Sequence, residues 1–149
     1  MKKRPLLVVC GLVIVLVVVF AIPRLFQSDP NTTFKKEIIE KIGDREVSAV
    51  KLIKSSDEET FALRNKEDIH RMLDAMSSVE LEKANRHQDA AKDTYSMLIL
   101  VQGKPTFSVF WDDNNNVQIL DSENETHHLY KVKNASALDP IKNYWNHET

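Results

Sequence analysis

The run LLVVCGLVIVLVVVFAI, from Leu6 to Ile22, contains no charged residue. The hydrocarbon core of a bilayer takes about 20 apolar residues of helix, within a range of about 17 to 25. Leu6 to Ile22 reaches the short end of that range. Pro5 to Phe26, interrupted only by Arg24, reaches a comfortable length, and Arg24 can snorkel to the headgroups. Lys2, Lys3 and Arg4 precede the run, whereas Arg24 alone follows it closely. The positive-inside rule then predicts a cytoplasmic N-terminus and an extracytoplasmic remainder. The expectation is a single-pass transmembrane helix at the N-terminus, with the membrane engaged through residues 5–26.

Two other uses of such a run fit less well. A cleaved secretory signal needs small residues at the cleavage site. Around the end of this run only Ala21 is small, between Phe20 and Ile22. A lipoprotein signal places its lipid-modified cysteine at the end of the apolar run, but Cys10 lies near the beginning, after Val9.

The 149-residue chain leaves 122 residues after Gln27, enough for one domain with a core of its own. Four of the 20 basic residues (Lys2, Lys3, Arg4 and Arg24) precede Ser28 and all 22 acids follow it, so the remainder carries a net charge of −6. That balance argues against nucleic acid and against an anionic lipid surface as partners. Cys10 is the only cysteine, so the domain has no disulfide and no thiolate metal site. A Lys- and Asn-rich domain without disulfides has a bacterial look. The triplets at Asn31, Asn124 and Asn134 match the glycan acceptor pattern of a eukaryotic chain.

Periodicity divides the chain into residues 1–27, a basic start and anchor; 28–33, a polar linker (SDPNTT); and 34–149, an extracytoplasmic domain. Phe34, Ile38, Ile39 and Ile42 recur at helical spacing, with Gly43 as a stop. Glu46–Lys54 and Thr60–Arg64 read as a β-hairpin. Asn65 then caps the clearest helix, with Asp68 in the capping-box position and Ile69, Met72, Leu73 and Met76 as one stripe. Val79 and Leu81 mark a short strand, and Asn85–Asp93 a loop. Thr94–Gln102 is apolar on both faces, as expected of a strand central in its sheet. Strands at Pro105–Asp112, Val117–Asp121 and His127–Val132 complete a meander. Asp139–His147 sets Ile141, Tyr144 and Trp145 at helical spacing. The predicted class is α+β: a small antiparallel sheet with one main helix packed on one face.

Candidate sites are sparse. Asp112, Asn114, Asn116 and Glu123 fall on ligand positions of a twelve-residue calcium loop, with Ile119 at its apolar position. Val117, however, stands where the sharp turn needs glycine, and the flanks read as strands. An Asx-rich turn is the simpler expectation. His127 and His128 point to opposite faces of a strand, and His70 and His87 lack metal-ligand spacing. Asp57-Glu58-Glu59, Glu67-Asp68 and Asp112-Asp113 sit in turns or at a helix start, where acids ordinarily solvate or cap. A hydrolase would need such a pair across a cleft. Three glycines in the chain argue strongly against a phosphate cradle. Phe110, Trp111, Tyr144 and Trp145 suit core packing better than a sugar-stacking platform. No catalytic, cofactor-binding or metal-ligating residue is assigned, and no cofactor is implied.

The basic start, the apolar segment, the capped helix from Asn65 to Met76 and the Y-x-M-L-I strand at Tyr95–Ile99 resemble small YhfM-like uncharacterised membrane-anchored proteins of Gram-positive bacilli. The resemblance implies the whole-chain architecture and carries over no functional residue. The expected function is non-catalytic: an extracytoplasmic interaction domain that binds a protein or envelope component. The alternatives are a small-ligand or cell-wall sugar sensor using aromatic residues, and an envelope hydrolase with paired carboxylates. The sequence gives no oligomeric state.

Overall fold

The computed structural model describes residues 30–55, 59–85 and 94–146. From Asn31 onward they belong to one compact unit, Asn31–Thr149. In chain order its elements are β1 (Asn31–Thr33), α1 (a wide π-helical stretch, Lys35–Ile39, running into the α-helical turn Glu40–Ile42), β2 (Val47–Lys54), β3 (Glu59–Leu63), α2 (Lys66–Ser77), β4 (Glu80–Lys83), β5 (Thr94–Val101), β6 (Lys104–Asp112), β7 (Asn116–Asp121), β8 (Thr126–Val132) and α3 (Asp139–Asn146), which follows a 3-10 turn at Ala135–Leu138. The eight strands form one antiparallel sheet in the order β1-β4-β8-β7-β6-β5-β2-β3.

Alternation decides which side of the sheet is buried. Leu52, Met97, Val109 and Ile119 pair across β2, β5, β6 and β7 and share one face. Residues one step along each strand point the other way. The helices cover the first face: Phe34, Ile38 and Ile42 of the α1 segment, Ile69, Met72 and Met76 of α2, and Leu138 and Ile141 join the inward strand residues in one core. Phe107, Met97, Ile99, Leu52 and Ile119 are almost wholly enclosed there. Tyr95 stacks on Trp111 with ring centroids 5.8 Å apart.

Turns fix the register. Gln102 and Gly103 both have positive φ, 51° and 80°, as the two-residue turn joining β5 to β6 requires. Asp112 Oδ1 accepts from the Asn114 and Asn116 N–H groups, each at 2.9 Å, and Oδ2 accepts from Asn116 Nδ2 at 2.9 Å. Asp121 organises the next turn in the same way: Oδ1 accepts from the Glu123 and Asn124 N–H groups at 3.1 Å, and Oδ2 from Asn124 Nδ2 at 2.8 Å.

Gly43 ends α1 at φ 61°, ψ −135°. A Cβ there would meet nothing nearer than the Glu40 carbonyl at 3.9 Å, so the constraint is backbone strain rather than space. Gly43→Ala is expected to cost about 1 to 3 kcal/mol in chemical denaturation. An unchanged midpoint would show that the turn relaxes at no cost.

Two expectations change. The class is mainly β rather than α+β. Among the described residues eight paired strands dominate, and the helices are short layers on one face, the longest being α2 at 12 residues. Asn31–Thr33, read as linker, pairs with β4 as an edge strand. The predicted N-terminal transmembrane helix is not part of this fold: Leu6–Ile22 lies outside the described residues, among which no helix is long and apolar enough to cross a membrane.

Candidate functional site

A wide concavity lies between α1 and α2. The two helices run antiparallel. At the start of α1 the Phe34 N–H donates to the Val79 carbonyl, just past the end of α2, at 3.0 Å. At the other end Lys66, which opens α2, pairs with Glu46 at 2.7 Å. The groove between them encloses about 640 Å³. Its floor and walls are Ile39, Ile42, Val47, Ile69 and Leu73, and its rim carries Lys35, Arg45, Glu46, Lys66, His70, Asp74 and Ser77. Ile42 and Ile69 are buried, whereas Ile39, Val47 and Leu73 remain partly open.

The α1 wall is held in place by polar clamps. Arg45 Nε donates to the Ile42 carbonyl and Nη2 to the Lys41 carbonyl, both at 3.0 Å, so the guanidinium caps the C-terminal end of α1. Its Nη1 reaches both Glu123 carboxylate oxygens at 2.7 Å, tying that end to the β7–β8 turn. On its other side α1 offers Glu37 to Thr32, Lys41 and Tyr130. Burial pushes the Glu37 carboxyl up, but the bonds from these three and the Lys41 charge outweigh it and hold the group below the usual carboxylate value. Burial, the Glu37 charge and their shared hydrogen bond raise the Tyr130 phenol well above its ordinary value. The groove therefore has one wall fixed to the sheet at both ends.

The chemistry offered by the rim is limited. His70 and Ser77 lie two helical turns apart on α2, about 10 Å along the axis, beyond proton-transfer distance. Ser77 Oγ donates instead to the Asp74 carbonyl at 2.5 Å. No group of three His, Cys, Asp or Glu side chains converges on a metal-sized site among the described residues. What remains is an open apolar trough with charged banks.

The residues weighed from sequence are scattered. Asp112 and Glu123 stand at opposite ends of β7, so they cannot share one calcium loop, and Glu123 is committed to Arg45. His127 faces outward opposite Leu120, while His128 turns inward beside Tyr130, with ring centroids 6.2 Å apart. His70 sits on the groove rim, and His87 lies outside the described residues. Glu67 and Asp68 occupy the first turn of α2, with Asp68 3.4 Å from Arg71. Asp113 is exposed in the β6–β7 turn, and Asp57 and Glu58 lie outside the described residues. Trp111 is 2 % exposed, so its ring belongs to the core rather than to a surface platform, and among the described residues its indole N–H has no hydrogen-bond partner. Phe110 stands 43 % exposed on the opposite face. The side chains of Tyr144 and Trp145 lie outside the described residues.

Two of the three glycan-acceptor triplets hold structural asparagines. Asn134 Oδ1 accepts from the Glu80 N–H at 2.8 Å and its Nδ2 donates to the Ser78 carbonyl at 2.8 Å. Asn124 donates to Asp121. Sequence reasoning did not identify Ile39, Leu73 or Arg45 as groove residues. The one available signal was the width of the Ile69-Met72-Leu73-Met76 stripe, whose Leu73 edge lies off the core. No family model, curated protein or solved structure matches this chain.

Proposed function

We propose that this chain is a non-catalytic interaction domain held on the extracytoplasmic side of a cell membrane by residues 5–26, and that the groove between α1 and α2 receives an apolar helical segment of a partner protein or envelope component. The observation that carries the proposal is the partly open Ile39, Val47 and Leu73 floor between two helices braced by Arg45–Glu123 and Lys66–Glu46. A rigid wall lowers the ordering cost of binding. Lys66 and Arg45 are each neutralised by an acid, so specificity rests on apolar fit more than on net charge. The basic flank Lys2, Lys3 and Arg4 supports the membrane orientation, and the likeness to YhfM-like proteins accords with it without adding a site residue.

Two experiments test the two halves of the proposal. A reporter fused after Thr149 is expected to be active only outside the cytoplasm, and activity inside would overturn the orientation. For the groove, tagged full-length chain is recovered from membranes of its native cells. A specific co-purifying protein should fall by about thirtyfold or more when Leu73 or Ile39 becomes Asp, the loss expected of a buried anchor. It should be unchanged by Asp113→Ala. Full retention by both groove variants would remove the groove from the account.

A further inference from the structure

Little chain separates the groove from the segment proposed to enter the membrane. Gln27, Ser28, Asp29 and Pro30 are the only residues between Phe26, where the apolar segment ends, and Asn31, where β1 begins. Fully extended, the chain from Phe26 to Asn31 reaches about 18 Å. Phe34 alone then stands between β1 and Lys35, the first residue on the groove rim. From Phe26 to Lys35 the chain reaches at most about 32 Å. The other wall, α2, has 12 residues, about 18 Å of helix. The groove is also small for an interface. An occupant lying along α2 over the width of one helix, about 10 Å, covers about 180 Å². A standard interface takes about 800 Å² from each partner, and contacts well below that are transient. The floor offers three partly open apolar side chains, Ile39, Val47 and Leu73. Charge adds little steering, because Lys35, Arg45 and Lys66 on the rim stand against Glu46, Asp74 and the Glu123 that Arg45 holds.

Given the anchor and the groove proposed above, on which this rests, we infer that the segment received by the groove belongs to an integral protein of the same membrane and adjoins that protein's own membrane span. A contact this small persists when its two halves are kept together by something else. Confinement of both to one bilayer does so, since tethering over a few nanometres supplies effective concentrations of roughly millimolar order. A freely diffusing protein has no such help. A wall glycan fits the floor poorly, because Ile39, Val47 and Leu73 offer its hydroxyls no hydrogen-bond partner. Chain length then sets where the docked segment lies in its own protein. The reach to Lys35 plus the length of α2 lets the groove extend no farther than about 50 Å from the bilayer surface, and a helix covers that distance in about 35 residues.

Cross-linking of the full chain in its native membrane, followed by mass spectrometry of the linked peptide, tests the inference. A photoreactive residue replaces His70 on the rim, and a protease recognition sequence is inserted after Gln27. The expected adduct is lost with Leu73→Asp and maps within about 35 residues of a membrane span in the linked protein, on the extracytoplasmic side. Cutting at the inserted sequence before irradiation should lower the adduct yield at least about tenfold against the same chain left uncut. The cut falls outside the folded unit, which starts at Asn31. A Leu73-dependent adduct on a protein without a span, on a segment remote from one, or on a glycan would overturn the inference and leave the groove in place. A yield unchanged by the cut would do the same. Absence of any Leu73-dependent adduct would remove the groove and this inference together.

Discussion

Asn134→Ala is expected to destabilise the domain by about 1 to 3 kcal/mol, and to lower its melting temperature by on the order of 5 to 10 °C. The asparagine follows β8 and reaches back to the junction between α2 and β4. It satisfies two backbone groups there, the Glu80 N–H and the Ser78 carbonyl, each at 2.8 Å. Alanine removes both bonds, and a hydrogen bond of this kind is worth about 0.5 to 1.5 kcal/mol net. Asn134→Asp separates the two bonds. It keeps the acceptor for Glu80 but sets a carboxylate oxygen against the Ser78 carbonyl, so it should not restore stability. The Ser78–Glu80 junction also places the end of α2, and with it one wall of the groove. An alanine variant within 0.5 kcal/mol of wild type would show that solvent replaces the asparagine.

Asp121→Asn should cost more, about 2 to 4 kcal/mol, because hydrogen bonds to a charged acceptor are the stronger kind. Asp121 is 3 % exposed and accepts three hydrogen bonds. Burial pushes its carboxyl up, but the donors from Asn124 and Glu123 and the charge of Lys41 outweigh that, so its folded value lies below the ordinary one. The stability it contributes is therefore fully present above the unfolded value of about 3.9 and disappears as pH falls through the lower folded value. In denaturation between pH 2 and 7, the gap between wild type and Asp121→Asn should be widest near neutrality and should narrow below about pH 4. Glu37, lowered in the same direction, leaves a residual acid slope in the variant. A gap that stays constant down to pH 2 would contradict the role given to the charge.

Local signals made much of this fold legible. Asn65 precedes a clean 3.6-residue stripe, and it caps α2 by accepting from the Glu67 N–H at 3.0 Å. The predicted partner position, Asp68, turns instead to Arg71. The alternation of Phe107, Val109 and Trp111 set the buried face of β6, and apolar residues on both faces of Thr94–Val101 pointed to a central strand, which β5 is only in being interior, sixth of eight between β6 and β2. β1 was invisible because Asn-Thr-Thr has no apolar alternation, and its strand character comes from pairing with β4. The balance of the class was misjudged because helical periodicity announces short helices as clearly as long ones.

The groove was harder to see for a different reason. Its two walls come from segments about thirty residues apart, and Ile39 and Leu73 look like ordinary members of core stripes. Only the docking of α1 against α2 leaves them half open. The Arg45–Glu123 bond spans 78 residues, a separation at which local pattern carries no information.

The central claim, that the groove between α1 and α2 is where a partner docks, is tested most directly by site-specific photo-cross-linking in the native membrane. A photoreactive residue is placed at His70 or at Asp74, both on the groove rim, and at the exposed turn residue Asp113 for comparison. The expected result is one adduct of defined mass from both rim positions, absent from Asp113 and lost when Leu73 is changed to Asp in the same chain. Adducts equally abundant from all three positions, or rim adducts that persist with Leu73→Asp, would contradict the claim.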